Sequence, residues 1–250
     1  IPAEFVSMPL MGATSPVTFA GALVQHTAED LSGVVLAQAA QEGAPVIYGG
    51  SPAMFDMRQG TTPMGAIETM MLDSAYTQIA KSMELPTHAY MGLSDSKTAD
   101  YQAGLESGMG ALLAAMAGVN VVSGAGMLNF ESCQSLEKLA LDNEICGMAL
   151  HLQRGIRERE GSLGLDEIRE YTKSGDFLKS PLTRKYFREE QFFPSRIIDR
   201  TAGEVAEQGE ALERAHEIVE NFTSQPPALP EGDITDNLKK IISDDSLPVG

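Results

Sequence analysis

The run Gly92-Leu93-Ser94-Asp95-Ser96-Lys97 puts two hydroxyls, a carboxylate and an ammonium within six residues. Asp95 can hold a cation or orient a base, and Lys97 can hold an anion. The same residues also suit a helix start, with Asp95 and Ser96 near the positive end of the helix dipole. Four aromatic residues, Tyr48, Phe55, Tyr90 and Tyr101, lie in or beside predicted loops. Aromatic faces attract quaternary ammonium groups, by about 2 kcal/mol or more when the contact is desolvated. At least two of the four are expected to be packing instead. Arg58 is one of only three basic residues in the first 130. Its planar fork can take a carboxylate through two parallel hydrogen bonds, or it forms a surface ion pair. His26, His88, His151 and His216 share no ligand-like spacing and are read as structural or surface residues.

These groups need elements to position them. Short apolar runs at Phe5–Leu10, Pro45–Tyr48, Thr87–Met91 and Asn120–Ser123 alternate with helical patterns at about 18–41, 64–83, 99–117 and 132–155. Ser15 or Thr18, Thr62, Thr98 and Ser132 are the expected helix caps. Gly49-Gly50, Gly92 and Gly124-Ala125-Gly126 close the second, third and fourth runs, where glycine permits tight turns and close backbone approach. Four βα units predict a parallel sheet with its ligand site beyond the strands' C-terminal ends. Two architectures fit: half of an eight-stranded barrel, or an open doubly wound sheet. The half-barrel is preferred, because no phosphate fingerprint follows the first strand and the start at Ile1 looks internal to a longer gene product.

Residues 1–155 form the predicted βα half, and residues 156–250 a charged helical extension. Within the extension, helices are expected at 166–173, 202–222 and 233–243, with a proline-rich spacer at 225–230. Tyr186 and Phe192-Phe193-Pro194 are expected to pin it to the sheet-bearing part. Isolated, four strands read as buried on both faces would leave open edges and an apolar face. A segment of the same gene product or a symmetric neighbour is expected to cover them, hence a homo-oligomer.

The net charge of −17 disfavours nucleic acid as a partner. No run of about 18 apolar residues suggests a membrane span. Cys133 and Cys146 fall on one predicted helix, about 20 Å apart, and so are not a disulfide pair. Free thiols and the absence of a signal-like start fit a cytoplasmic protein. No Cys/His cluster supports a metal site.

Several segments in order resemble the C-terminal half of the trimethylamine methyltransferase family. They are Glu29-Asp30-Leu31-Ser32-Gly33-Val34-Val35-Leu36-Ala37-Gln38, Gly43-Ala44-Pro45-Val46-Ile47-Tyr48-Gly49-Gly50, Asp95-Ser96-Lys97 with Gln102-Ala103-Gly104, and Leu112-Leu113-Ala114-Ala115-Met116-Ala117-Gly118-Val119-Asn120. The resemblance implies a TIM (β/α)8 barrel whose top face receives a corrinoid protein. The corrinoid (cobalamin) would be supplied by that partner and not bound tightly here. It also implies methyl transfer from a methylated amine to the cobalt. Some family members use pyrrolysine, at a position that falls in or near Tyr90–Asp95; this chain has only standard residues there. That departure points to the branch similar to glycine betaine methyltransferase. The substrate-binding set implied is Tyr48, Gly49, Gly50, Phe55, Arg58, Tyr90, Gly92, Ser94, Asp95, Ser96, Lys97, Tyr101 and Gln102.

Two other readings stand beside it. One is a lyase or aldolase with Lys97 as a Schiff-base amine, although such a lysine usually sits on a strand. The other is a module that binds methylated amines without chemistry.

Overall fold

The computed structural model describes residues 1–159, 163–173, 175–202, 209–225 and 233–242. It alternates strands and helices over its first 155 residues. The order is β1 (Ala3–Glu4), β2 (Leu10–Met11), α1 (Phe19–Ala40), β3 (Val46–Ile47), β4 (Ala53–Met54), α2 (Ile67–Ser82), β5 (His88–Tyr90), α3 (Tyr101–Ala117) and β6 (Val121–Ser123). A small antiparallel pair, β7 (Met127–Leu128) and β8 (Cys133–Gln134), leads to α4 (Leu136–Gln153).

The main ladders are parallel. β1 pairs with β3, β2 with β4, and β5 with β6. A single bridge between Tyr48 and Thr87 joins the second unit to the third. The units therefore lie side by side in chain order. The described strands form short sheets, none of which closes. The expected first run, Phe5–Leu10, lies mostly between β1 and β2, with only Leu10 in a strand, and β4 falls where a loop was expected. Proline offers the reason: Pro9 has no amide to donate, although its carbonyl accepts the Ala53 amide at 3.2 Å.

Alternating side chains give the sheet two unlike faces. On the helix side, Tyr48, Met70, Tyr76, Ala89, Met91 and Ala114 form the core. Gly110 lets α3 close onto β5, since a Cβ there would collide with the Met91 carbonyl. On the other side, Ala53, Met64 and Leu93 pack with Leu10, Tyr90 and Met127. The last strand departs from the expectation of two buried faces: Val121 is 47% and Val122 43% exposed. Among the described residues no strand pairs beyond β6, so neither of these valines is covered.

Three helices start later than their expected caps. Thr18 does cap α1, accepting the Gly21 amide at 3.3 Å. α3 is capped by Asp100 rather than Thr98, and α4 by Ser135 rather than Ser132. α2 begins at Ile67 instead of near Thr62, and Ala66 gives it no side-chain cap. Cys133 correspondingly lies in β8 and not on the helix that carries Cys146; both thiols are free.

Beyond α4 come α5 (Leu165–Tyr171), a 3-10 turn at Phe177–Lys179, α6 (Pro181–Glu190), α7 (Ala211–Thr223) and α8 (Asp233–Ile242). α7 packs on α4, burying Ala215 and Ile197. Phe192 anchors the preceding segment against His151 and Gly147 of α4. Tyr186 instead lies under the Arg159 guanidinium, 5.0 Å from its ring centre. The expected spacer at 226–230, the first turns expected before α7 (203–208) and Ser243 lie outside the described residues. No described helix is long and apolar enough to cross a membrane.

Candidate functional site

The loop after β5 is made of buried polar groups: Ser94, Asp95 and Ser96 are each at most 5% exposed. Two neighbouring elements satisfy them. Asp95 Oδ1 accepts the Met64 amide at 2.9 Å, and Oδ2 accepts the Gly65 amide at 2.8 Å. Those amides precede α2, so the carboxylate holds a turn at Met64–Gly65 and the helix starts late. A side chain at Gly65 would push on this network, because a Cβ would sit 2.8 Å from Glu106 Oε2 and 3.1 Å from Asp95 Oδ2. From α3, Glu106 Oε2 accepts the Ser94 hydroxyl at 2.5 Å and the Asp95 amide at 2.8 Å. Its other oxygen accepts Gln102 Nε2 at 2.8 Å. Ser96 donates to Asp100 Oδ1 at 2.9 Å, which ties the loop to the cap of α3.

The loop after β7 closes over this group. Asn129, Phe130 and Glu131 have φ of 52°, 56° and 64°, three successive left-handed residues that are not glycine. Each costs about 1–2 kcal/mol, and such strain persists only where the surroundings fix it. One fixing contact is the Asn129 amide, which donates to the Ser96 carbonyl at 2.8 Å. The turn places the Phe130 ring centre 5.7 Å from Lys97 Nζ. It also tucks Glu131 inward, with Oε1 buried and unpartnered among the described residues.

The electrostatics follow from this burial. Asp95 is pushed up from 3.8 to about 6, by desolvation first and by the Glu106 charge, against the pull of the Gly65 and Met64 amides and Lys97. Burial also raises Glu131, and the Asp95 charge adds to it. Asp73 of α2, wholly buried, is raised well above its ordinary value by burial and by Glu131. Burial raises the Tyr90 hydroxyl too, with Glu4 and Glu131 as the neighbouring charges. Desolvated carboxylates beside aromatic rings favour a cation, which relieves their charge without needing acceptors of its own. Among the described residues no group of three or more His, Cys, Asp or Glu side chains is arranged to hold a metal ion.

The expected residues are not all brought together. Ser94, Asp95, Ser96 and Gln102 belong to the network, Lys97 is exposed at its rim, and Gly92 abuts Ser123, its amide donating to that carbonyl at 3.0 Å. Tyr90 faces the sheet side opposite the helices, against His88 at 4.8 Å between ring centres. Tyr48 instead lies on the helix side, 1% exposed, among His26 and Tyr76. Gly49 lies between Glu4 and His88, and Gly50 lies against Ser7 and His26. Phe55 and Arg58 sit in the turn after β4, where Asp56 caps the Arg58 amide at 2.8 Å and the Arg58 side chain is exposed. Tyr101, 83% exposed, lines a separate groove of about 360 Å³ with Lys138, Asp142, Ile198 and Leu212.

Glu106, Glu131 and Asp73 were not anticipated. Glu106 had a signal, four residues after Gln102 on one helical face. Glu131 ends the loop beyond the fourth strand, where a ligand site is expected from the strand order, but its inward position depends on the left-handed turn.

A family model described as trimethylamine methyltransferase (MTTB) matches residues 2–245. The chain is 38% identical over 251 residues to a glycine betaine methyltransferase of Desulfitobacterium hafniense (strain Y51), covering 98% of this chain and 52% of that protein. It is 37% identical over 248 residues to the trimethylamine methyltransferase MttB of Methanosarcina barkeri, covering 97% and 49%. A trimethylamine methyltransferase MttB of Desulfitobacterium hafniense (strain DSM 10664 / DCB-2) is 34% identical over 251 residues, covering 98% and 50%. The chain thus spans about half the length of the curated relatives it matches.

Proposed function

The chain belongs to the trimethylamine methyltransferase family, and from that premise we propose that it carries the amine-binding part of a methyltransferase. The substrate is a quaternary amine such as glycine betaine, and the acceptor is the cobalt of a corrinoid protein. The observation that carries this reading is the set of carboxyl groups Asp95, Glu131 and Asp73, each desolvated and each sensing a neighbouring carboxylate, with the Phe130 ring beside Lys97 at the rim. A quaternary ammonium fits that environment because it brings positive charge and needs no hydrogen-bond acceptor.

In this reading residues 1–155 supply half of a (β/α)8 barrel, and the helices described beyond residue 155 are an extension packed on it, with α7 on α4. The side-by-side parallel order of the βα units supports a barrel half, and the uncovered face of β6 suits a further segment of the same protein or a second copy. The acceptor arrives on its own protein and supplies the nucleophilic cobalt, so this chain needs no tightly bound cofactor. The chain's own residues bind, orient and desolvate the amine. A quaternary ammonium leaves as a neutral amine, so no acid is required of them. Arg58, exposed in the turn after β4, is the group this reading assigns to a substrate carboxylate. A cytoplasmic location accords with two free thiols.

Lys97 suits a Schiff-base mechanism poorly, since it is exposed and a lysine activated in that way is desolvated. The test is methyl transfer to reduced corrinoid, protein-bound and free, by the full gene product with a panel of quaternary amines. Transfer from at least one is expected. No transfer from any, with tight amine binding retained, would replace the enzyme with a binding module.

A further inference from the structure

On the sheet face that bears Tyr90, three strands contribute a second polar constellation. His88 Nδ1 lies 2.6 Å from Glu4 Oε1, and His88 Nε2 lies 2.7 Å from the Ser123 hydroxyl. Glu4 comes from β1, His88 from β5 and Ser123 from the end of β6. The contact from β1 to β5 crosses the second unit at Gly49, and a Cβ there would collide with Glu4 Oε1. The histidine is 6% exposed, and the serine half-buried. The carboxylate fixes the tautomer: Glu4 Oε1 accepts a hydrogen bond from His88 Nδ1–H, which leaves the Nε2 lone pair to accept from Ser123.

This is the order of groups that activates a serine: hydroxyl, imidazole base, orienting carboxylate. It adjoins the proposed amine site through Tyr90, whose ring centre lies 4.8 Å from that of His88. Ser123 ends its strand, and the next residue, Gly124, turns at φ 112°. The amides of Gly124 and Ala125 donate to no described residue. They directly follow the hydroxyl, as does one oxyanion donor of serine hydrolases.

We infer that Ser123, His88 and Glu4 form a nucleophilic triad that accepts an acyl group from a small ester. In the first step a bond forms between Ser123 Oγ and the acyl carbon. The Ser123 proton passes to His88 Nε2 and then to the departing alkoxide as the carbon–oxygen bond of the ester breaks. In the second step water attacks the acyl-serine, gives its proton through His88 back to Ser123 Oγ, and releases the acid. The net change is ester plus water to acid plus alcohol, with no oxidant or cofactor.

The test uses the full gene product, a fluorophosphonate probe and peptide mapping, with p-nitrophenyl acetate as the ester. One phosphonyl group on Ser123, absent from Ser123→Ala, is expected. His88→Gln, which keeps the size and one hydrogen bond, should label at least about 100-fold more slowly, the usual contribution of a general base. Glu4→Gln, which retains an acceptor for Nδ1, guards against a His88 variant that fails to fold. It should fold as the parent does by circular dichroism and label at an intermediate rate. The inference is overturned if the parent protein takes no label at Ser123 while a serine protease control reacts. It is equally overturned if folded Glu4→Gln and His88→Gln label at the parental rate.

Discussion

Glu106 Oε2 accepts the main-chain amide of Asp95 at 2.8 Å, so one carboxylate from α3 holds in place the residue that carries the next. The Asp95 carboxylate is then fixed in turn by the Met64 and Gly65 amides. With its proton affinity raised to about 6, Asp95 changes charge close to neutral pH.

A cationic substrate prefers ionised Asp95. KM for a quaternary amine should therefore fall as pH rises from about 5 to 7, by up to about tenfold per unit below the pKa, and level off above it. Asp95→Asn should flatten this profile and raise KM at pH 7. A variant with the parental profile would remove Asp95 from amine recognition.

Arg58 separates zwitterionic from purely cationic substrates. Arg58→Ala should raise KM for a betaine by about tenfold or more, the scale of a charge-assisted hydrogen bond. KM for tetramethylammonium, which has no carboxylate, should stay unchanged. Equal changes for both would assign Arg58 a general role in loop structure.

His26 and Asp30 form a buried pair on α1, with Nε2 and Oδ2 3.5 Å apart. Burial lowers His26 from 6.5 to about 4 and raises Asp30 from 3.8 to about 7. Asp30 binds its proton more tightly in the folded state, so it lowers stability as pH rises from about 4 to 7. His26 binds its proton less tightly, so it lowers stability as pH falls from about 6.5 to 4. The two slopes oppose each other across nearly the same window. Asp30→Asn should leave the histidine slope alone: stability then rises with pH up to about 6.5. At pH 8 the variant should exceed the parent by about 1–3 kcal/mol, because a neutral amide replaces a desolvated charge. Thermal melts from pH 4 to 8 check both the slope and its sign.

Lys138 Nζ bonds Asp142 Oδ2 at 2.5 Å and Ser107 at 2.8 Å, and the same Asp142 oxygen accepts the Gly126 amide at 2.7 Å. This ties α3 and α4 to the glycine turn after β6. Lys138→Met leaves a buried carboxylate without its cation and should cost about 3–5 kcal/mol. The double change Lys138→Met with Asp142→Leu should recover part of that loss in chemical denaturation. If the double variant is no more stable than the single one, the network is not held by charge.

Much of the framework is legible in one dimension. Apolar runs ending in glycine locate the strand–helix units, Thr18 marks the start of α1, and the 92–97 run falls at a strand end, because these are local patterns of period and turn chemistry. The placement of Asp95 in the site was also local, since it follows the third run directly. What the linear order could not provide is which groups meet across elements. Tyr48 reads as a loop aromatic, yet strand alternation turns it to the helix side, where His26 and Tyr76 enclose it. The start of α2 moved because Asp95, thirty residues on, takes the amides of Met64 and Gly65. Glu131 reached the carboxyl cluster only through three left-handed residues, a conformation that Asn129 tolerates but Phe130 and Glu131 do not favour. His88, read from sequence as structural, found Glu4 eighty-four positions away and Ser123 thirty-five away. The sequence determined the elements because hydrophobic period and turn residues act between neighbours. Only the tertiary structure decided the chemistry, because desolvation and hydrogen bonding act between side chains that the parallel order of the strands brings together from distant parts of the chain.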